Sequence, residues 1–188
     1  MDIRTLDIPD VKLFTPKRFE DARGYFMETF RHSIFNETLG LDIQFVQDNH
    51  SHSTHKFTLR GLHFQKPPHW QGKLVRCVRG AILDIAVDAR PNSRTFGHHV
   101  KAELSAENKA QLWVPEGFLH GFLTLSENAE VLYKCTRYYD HNSDATVAWN
   151  DPDLAIDWGA DPNTVRLSAK DAAAASFRAQ FPLRKAAQ

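Results

Sequence analysis

The sequence predicts an all-β sandwich or barrel followed by a small helical tail. Short segments of strand-like composition recur along most of the chain, and turn signals separate them at intervals of about 8 to 12 residues. The exception is SAKDAAAASF, where Ser168 stands as an N-cap, Asp171 follows three residues later and an Ala-rich run leads to Phe177. At 188 residues the length suits one domain with a sizeable core. No internal repeat or low-complexity linker divides it, so a single domain over residues 1–188 is expected.

Each element has its own signal. Residues 1–30 alternate short apolar segments with turns: Phe14 to Phe19 encloses Pro16, and Asp21-Ala22-Arg23-Gly24 turns into YFMETF. Read as a strand, that segment puts Phe26, Glu28 and Phe30 on one face and Tyr25, Met27 and Thr29 on the other. Taken alone, Glu28 reads as an exposed strand edge rather than a site group. Residues 31–40 (RHSIFNETLG) read as a short helix stopped by Gly40. Ile43 to Asn49 and Phe57 to Gln65 read as strands, with HSHSTHK between them as a polar loop. The histidines of that Ser/Thr-rich loop (His50, His52, His55) are poor candidates for metal ligation.

Leu74 to Val78 and Ile82 to Ala89 flank Arg79-Gly80-Ala81 and read as a β-hairpin. A two-residue Gly80-Ala81 turn would pair Cys77 with Asp84 and Lys73 with Asp88, projecting Lys73 and Asp84 from one face unless a bulge intervenes. A plain hairpin charge pair is the equal alternative for Asp84. Pro91 and Asn92 break the chain before a strand from Thr95 to Leu104, and Ser105 to Asn108 reads as a short helical turn. Gln111 to Val114, the turn Pro115-Glu116-Gly117 and Phe118 to Leu125 follow. In the long strand from Glu130 to Tyr139, Val131, Tyr133 and Cys135 share a face. Residues 140–163, rich in Asp, Asn and Pro, read as irregular.

Acidic and basic residues balance at 23 each, so no global field draws the chain to nucleic acid or anionic membranes. The segment MDIRTLDIPD lacks the apolar run of a signal peptide, and no apolar stretch approaches transmembrane length. Cys77 and Cys135 match no zinc spacing. A cytoplasmic protein with reduced, buried thiols is expected.

The stretch LRGLHFQKPPHWQGK concentrates chemistry. Arg60 can hold an anion, His63 can accept a proton near neutral pH, and Lys73 is a point charge. Gly61, Pro67-Pro68 and Gly72 constrain the backbone around them. Three solvated polar residues on a loop are the alternative. Strand parity sets a condition: Arg60 and His63, three apart, line one pocket only if Gly61 marks a bulge or bend.

Pro115 to His120 has the PxGxxH spacing of cupin-type jelly rolls, whose histidine points into the barrel mouth. The earlier segment RGLHFQ offers one histidine and no nearby glutamate, too few ligands for a transition metal, so no metal is expected. The segments DARGYFMETF, QDNHS, LRGLHFQ, QGKLVRCVRGAILDIAVDAR, SRTFGHHV, LSAENKAQLWVPEGFLHGFLTL, VLYKCTRYY, WNDPDLAIDW and LSAKD span about residues 19–171. In that order the chain resembles the dTDP-4-dehydrorhamnose 3,5-epimerase family of nucleotide-sugar epimerases, within the cupin fold.

The resemblance implies an all-β, cupin-type double-stranded β-helix (jelly roll) with short C-terminal helices. It also implies epimerisation at C3 and C5 of dTDP-4-dehydro-6-deoxy-D-glucose, with no cofactor. By the same resemblance His63 is the base, Asp171 orients it, Lys73 stabilises the enolate and Tyr133 is the acid on the opposite face. Asp171 as a helix cap and Tyr133 as a core tyrosine are the readings from the residues alone. Arg23 and Arg60 match diphosphate-holding positions; Glu28, Gln47 and Asn49 match hydrogen-bonding positions. His120 and Asp84 match further polar positions in the cavity, with a structurally satisfied histidine–carboxylate pair the equal alternative, and Lys170 matches a lysine next to the catalytic aspartate. Tyr138-Tyr139 offers a stacking surface for the base, with a place in the core the equal alternative for either. The family's homodimers exchange N-terminal strands, which would place Arg23 and Glu28 in the neighbouring subunit's site.

Two departures concern the substrate. Only Asp144 stands where relatives often carry a glutamate after the tyrosine pair, and HSTHKFT lacks the small and arginine residues expected there. A monofunctional epimerase and a non-catalytic sugar-nucleotide-binding jelly roll are the rival readings.

Overall fold

The computed structural model describes residues 1–182. In chain order its strands are β1 (Asp2–Thr5), β2 (Lys12–Thr15), β3 (Arg18–Asp21), β4 (Gly24–Met27), β5 (Gln47–Ser53), β6 (Leu59–Gln65) and β7 (Lys73–Arg79). They continue with β8 (Ala81–Asp88), β9 (His99–Ser105), β10 (Gln111–Val114), β11 (Phe118–Thr124), β12 (Ala129–Cys135) and β13 (Asp144–Thr146). The helices are α1 (His32–Leu39), α2 (Ala169–Ala172) and α3 (Phe177–Gln180). One sheet runs β1-β2-β10-β7-β12-β5 and the other β13-β6-β11-β8-β9, while β3 and β4 form a separate hairpin. From β5 onward nearly every connection crosses from one sheet to the other, as a jelly roll requires.

Apolar side chains fill three layers. Val75, Cys77, Leu112 and Val131 of the six-stranded sheet meet Ile82, Ala86, Leu104 and Phe122 of the other in the interior. The outer face of the five-stranded sheet (Leu59, Leu62, Ile85, Leu119) lies under Trp149, Trp158 and Phe177 of the C-terminal segments. The outer face of the six-stranded sheet (Phe14, Leu74, Trp113) is covered by Phe35 of α1 together with Phe30 and Phe45. Covered on both faces, β11 is buried throughout, which explains its near-continuous apolar run FLHGFLT.

Several expectations are met and several corrected. α1 ends at Gly40, whose φ of 64° admits the left-handed cap that closes the helix. β7 and β8, by contrast, are not a hairpin: β7 pairs with β10 and β12, whereas β8 pairs with β11 and β9. At the corner, Ala81 N–H donates to Ser126 Oγ (3.0 Å) and Gly80 C=O accepts from Ala106 (2.9 Å), so other segments satisfy the turn. Lys73 and Asp84 therefore face the interior from opposing sheets, not from one ribbon.

The segment read as a polar loop contains part of a strand. β5 takes in His50 and His52 because β12 offers partners from Gln47↔Cys135 to Ser53↔Ala129. An edge strand with one solvated face need not look apolar. Ile43 and Phe45, expected in that strand, pack against the α1 layer instead. β4 stops at Met27, so Phe26, Glu28 and Phe30 share no strand face. Phe30 lies in the α1 layer, and Glu28 pairs with Arg31. β9 starts at His99 rather than Thr95, because Ser93 and Thr95 fold back onto Asp88. Ser105 and Asn108 close a non-helical turn by reciprocal bonds of 3.0 Å. β12 ends at Cys135, and β13 lies within the stretch read as irregular.

Candidate active site

Register determines which polar groups look inward. Across the six-stranded sheet Cys135 lies opposite Lys73 and Gln47, and Tyr133 opposite Val75 and Asn49. These rows share the face of Val75 and Val131, whose side chains belong to the interior. From the facing sheet come His120 on β11, paired with His63 and Ala86, and Asp84 on β8, paired with Phe122.

The bulge anticipated at Gly61 is present. His63 pairs with His120 and Arg60 with Phe122, so β6 has one residue more than β11 across this interval. Leu59 and Leu62 consequently both reach the outer layer, and Arg60 and His63 share the inner side. Gly61 has φ 131°, and a Cβ there would sit 2.6 Å from Gly121 Cα. Both backbones approach too closely for any side chain.

His63 Nε2 lies 2.6 Å from Asp171 Oδ1. The tail achieves this by returning beside β6: Leu59 N–H donates to Arg166 C=O, and Ala148 N–H donates to Ala175 C=O, bracketing α2. Ser168 Oγ accepts from Asp171 N–H (3.1 Å) and donates to Asp171 Oδ2 (2.8 Å). The cap and the carboxylate–histidine pair are thus one arrangement, and Ser168 is the contributor the sequence reading credited with capping alone. Burial pushes the Asp171 carboxyl up, but bonds from His63 and Ser168 and the nearby Lys170 charge outweigh it, and its pKa is lowered. The carboxylate stays ionised and can hold the imidazole in one tautomer.

A second pair lies deeper. His120 Nε2 is 2.7 Å from Asp84 Oδ1, and Asp84 Oδ2 is buried with no hydrogen-bond partner among the described residues. Burial lowers the His120 pKa, opposed by Asp84 and aided by Lys73 and His63. Burial likewise lowers the Lys73 ammonium, against the pull of Cys135, Asp84 and Asp144. Tyr133 is raised by burial, with Arg60 opposing, so it stays a protonated phenol at neutral pH.

The remaining candidates divide. Arg60 donates to Ser53 Oγ (3.1 Å) and His52 C=O (3.0 Å). Gln47 donates to Asn49 (3.0 Å), and Asn49 donates to Cys135 Sγ (3.4 Å). At the rim Lys170 and Tyr139 both hydrogen-bond Asp144, and Tyr138 is 70% exposed. Arg23 and Glu28 are not brought to this cluster. The Arg23 side chain, 91% exposed at the β3–β4 turn, pairs with Asp21, and Glu28 pairs with Arg31. Among the described residues no group of three or more His, Cys, Asp or Glu side chains is arranged to hold a metal ion. No described helix is long and apolar enough to cross a membrane.

A family model described as dTDP-4-dehydrorhamnose 3,5-epimerase matches residues 5–179. The chain belongs to that family. Its relatives include the dTDP-4-dehydrorhamnose 3,5-epimerase of Salmonella typhimurium, 54% identical over 89% of this chain and 90% of that protein. A dTDP-6-deoxy-D-glucose-3,5-epimerase from Legionella pneumophila, solved in complex with dTDP-4-keto-L-rhamnose, superposes with a TM-score of 0.91. It is 45% identical and covers 99% of both chains. A 3'-monoepimerase from Streptomyces bikiniensis, in complex with dTDP-quinovose, is 33% identical with a TM-score of 0.85, over 95% of this chain and 90% of that one. Membership makes the chain an isomerase of the epimerase type with a cupin-like jelly roll.

Proposed function

We propose that this epimerase inverts C3 and C5 of dTDP-4-dehydro-6-deoxy-D-glucose through enolate intermediates. One observation carries the reading: His63, held by Asp171 of α2, stands on one sheet, and Tyr133 and Lys73 stand on the sheet facing it. A sugar held between them meets a base on one face and an acid on the other, which is what inversion of a carbon needs.

The C4 ketone acidifies the protons on C3 and C5. His63 takes one as the C–H bond breaks; the C–H electron pair forms a C=C bond to C4, and the C4=O π pair moves onto O4. Lys73 lies where that charge develops, and a fixed cation in a dry site stabilises it strongly. Tyr133 returns a proton to the same carbon from the other face as the ketone reforms. His63 then releases its proton to solvent and Tyr133 recovers one, so the cycle repeats at the second carbon with no net redox change. His120 and Asp84 stand beside His63 on its sheet and face Lys73, while Arg60, Gln47, Asn49 and Lys170 bind substrate. Exposed Tyr138 and Tyr139 suit stacking on the base.

Arg23 and Glu28 complete the site of a second copy in a homodimer with exchanged N-terminal strands. What supports this is their pairing with Asp21 and Arg31 rather than with the cluster, and the exposure of Phe19 (55%) and Phe26 (70%) on the β3–β4 hairpin. The reading treats residues 1–188 as one domain, of which 183–188 lie outside the described residues, and places it in the cytoplasm, where the free Cys77 and Cys135 stay reduced. Turnover in D₂O tests the function. Deuterium is expected at both C3 and C5, whereas label at C3 alone makes the chain a 3-epimerase like its Streptomyces relative.

A further inference from the structure

Gln65 ends β6 two residues beyond His63, on the side that faces the cavity, and only 4% of it is exposed. Its amide is fully engaged. Nε2 donates to His69 C=O (3.0 Å) and Tyr138 C=O (3.4 Å), and Oε1 accepts from Asp140 N–H (2.5 Å). One side chain thereby ties the base-bearing strand to two rim loops, residues 66–72 and 136–143. Those loops are also stitched together by Gln71 Nε2 to Arg137 C=O (2.8 Å), Thr136 N–H to Gly72 C=O (3.0 Å) and Lys66 N–H to Ser143 C=O (2.7 Å). None of the other links joins His69, Tyr138 and Asp140 at a single point.

A buried amide with all its strong valences satisfied by backbone, flanked by two largely exposed tyrosines, is more than a filler of space. Aromatic rings 70% and 52% exposed have little packing of their own to orient them. The Tyr138 ring takes its direction from the backbone that carries it, held at Tyr138 C=O and Asp140 N–H by Gln65, while Tyr139 is further fixed by its hydroxyl on Asp144 (3.0 Å) and its N–H on Gln47 Oε1 (2.9 Å). We propose that Gln65 is the positioning residue of the cavity mouth, which presets the tyrosine loop for the nucleotide while leaving the chemistry at His63 untouched. The inference rests on the reading of Tyr138 and Tyr139 as the nucleotide-facing surface. Preorganisation of this kind appears in affinity, because a loop that is ordered before binding loses less entropy on binding.

Gln65→Leu keeps the approximate size and removes all three hydrogen bonds. With dTDP as probe, its Kd and the KM for the sugar nucleotide should rise roughly 10- to 100-fold, as for several hydrogen bonds lost together. At saturating substrate kcat should stay within about threefold, because no group at the reacting carbons has changed. Amide hydrogen exchange at Asp140 should accelerate without ligand, a readout independent of what the site binds. Unchanged Kd and KM with a lowered Tm would make Gln65 merely structural and overturn the proposal. So would a loss confined to kcat.

Gln65→Glu guards against a leucine variant that fails to fold. It keeps the acceptor for Asp140 but sets a carboxylate against two carbonyls, and protonation restores one donor. The ratio of its Kd to that of the wild type should therefore fall as the pH is lowered. A ratio near one at every pH overturns the proposal. If the wild type itself fails to bind dTDP, the functional reading fails, whereas wild-type binding with indifferent variants removes only the role of Gln65.

Discussion

At the scale of single residues, the carboxylates show how environment divides labour among chemically identical groups. Asp171 has one oxygen on the imidazole of His63 and the other on Ser168, and its lowered pKa keeps it charged where a proton must be managed. Asp171→Asn preserves shape and removes the charge beside the His63 imidazole. Its kcat should fall roughly 10²–10⁴-fold with KM little changed, measured as deuterium exchange at saturating substrate. Retention of full exchange would show that His63 works without an ionised partner. Asp88, by contrast, serves the fold: it is wholly buried and receives bonds from Arg90, Ser93 and Thr95. Burial pushes its carboxyl up, but those bonds bring it from 3.8 to about 2. A depressed carboxylate stabilises the folded state above its unfolded pKa, and that contribution vanishes as pH falls through the folded value. Ionised Asp88 should thus supply about 2 kcal/mol at neutral pH, lost between about pH 4 and pH 2. Urea unfolding across that range should show the loss in the wild type and its absence in an already weaker Asp88→Asn.

At the scale of elements, the bulge in β6 decides whether there is a site at all. Without the extra residue, Arg60 and His63 would point to opposite faces, one of them into the outer apolar layer. Gly61 and Gly121 let the two strands meet at that point, and each would clash with a Cβ on the other. Gly61→Ala should destabilise the fold by roughly 1–3 kcal/mol through its positive φ alone. It should also depress exchange, since a shift of about 1 Å in the group positioned there costs on the order of 10²-fold. Parallel measurement of Tm and kcat separates the two effects, and a stability loss with normal kcat would show that His63 tolerates the displaced strand. α2 makes the same point more simply. Four residues long, it has no stability of its own, and the backbone bonds on either side bring its Asp171 to His63.

At the scale of the whole molecule, two sheets facing each other carry His63 on one side and Tyr133 on the other, while the β3–β4 hairpin offers Arg23 to neither within its own chain. Exchange between subunits predicts an asymmetric result. In a mixed dimer of His63→Ala and Arg23→Ala subunits, one site would combine an intact His63 with an intact Arg23 from its neighbour, and activity should return. Without exchange both sites stay damaged, and mixing purified variants restores nothing. Size measurements in solution on each variant check that dimers form.

The segments around LRGLHFQ, PEGFLH and LSAKD were legible because turns, spacing and residue chemistry are local properties. The sequence therefore determined the strand-rich class, α1 with its Gly40 cap, the need for a bulge at Gly61, and the resemblance that assigns His63, Lys73, Tyr133 and Asp171 their roles. It did not determine pairing. The apparent hairpin at Gly80 dissolved because each flanking strand found two better partners in a different sheet, and HSHS became a strand because β12 was there to receive it. Gln65 carried no signal, since a glutamine at the end of a strand looks the same whether it meets water or three backbone groups. Those outcomes depend on contacts between residues far apart in the chain, 108 positions for His63 and Asp171, and only the folded arrangement brings such groups within bonding distance.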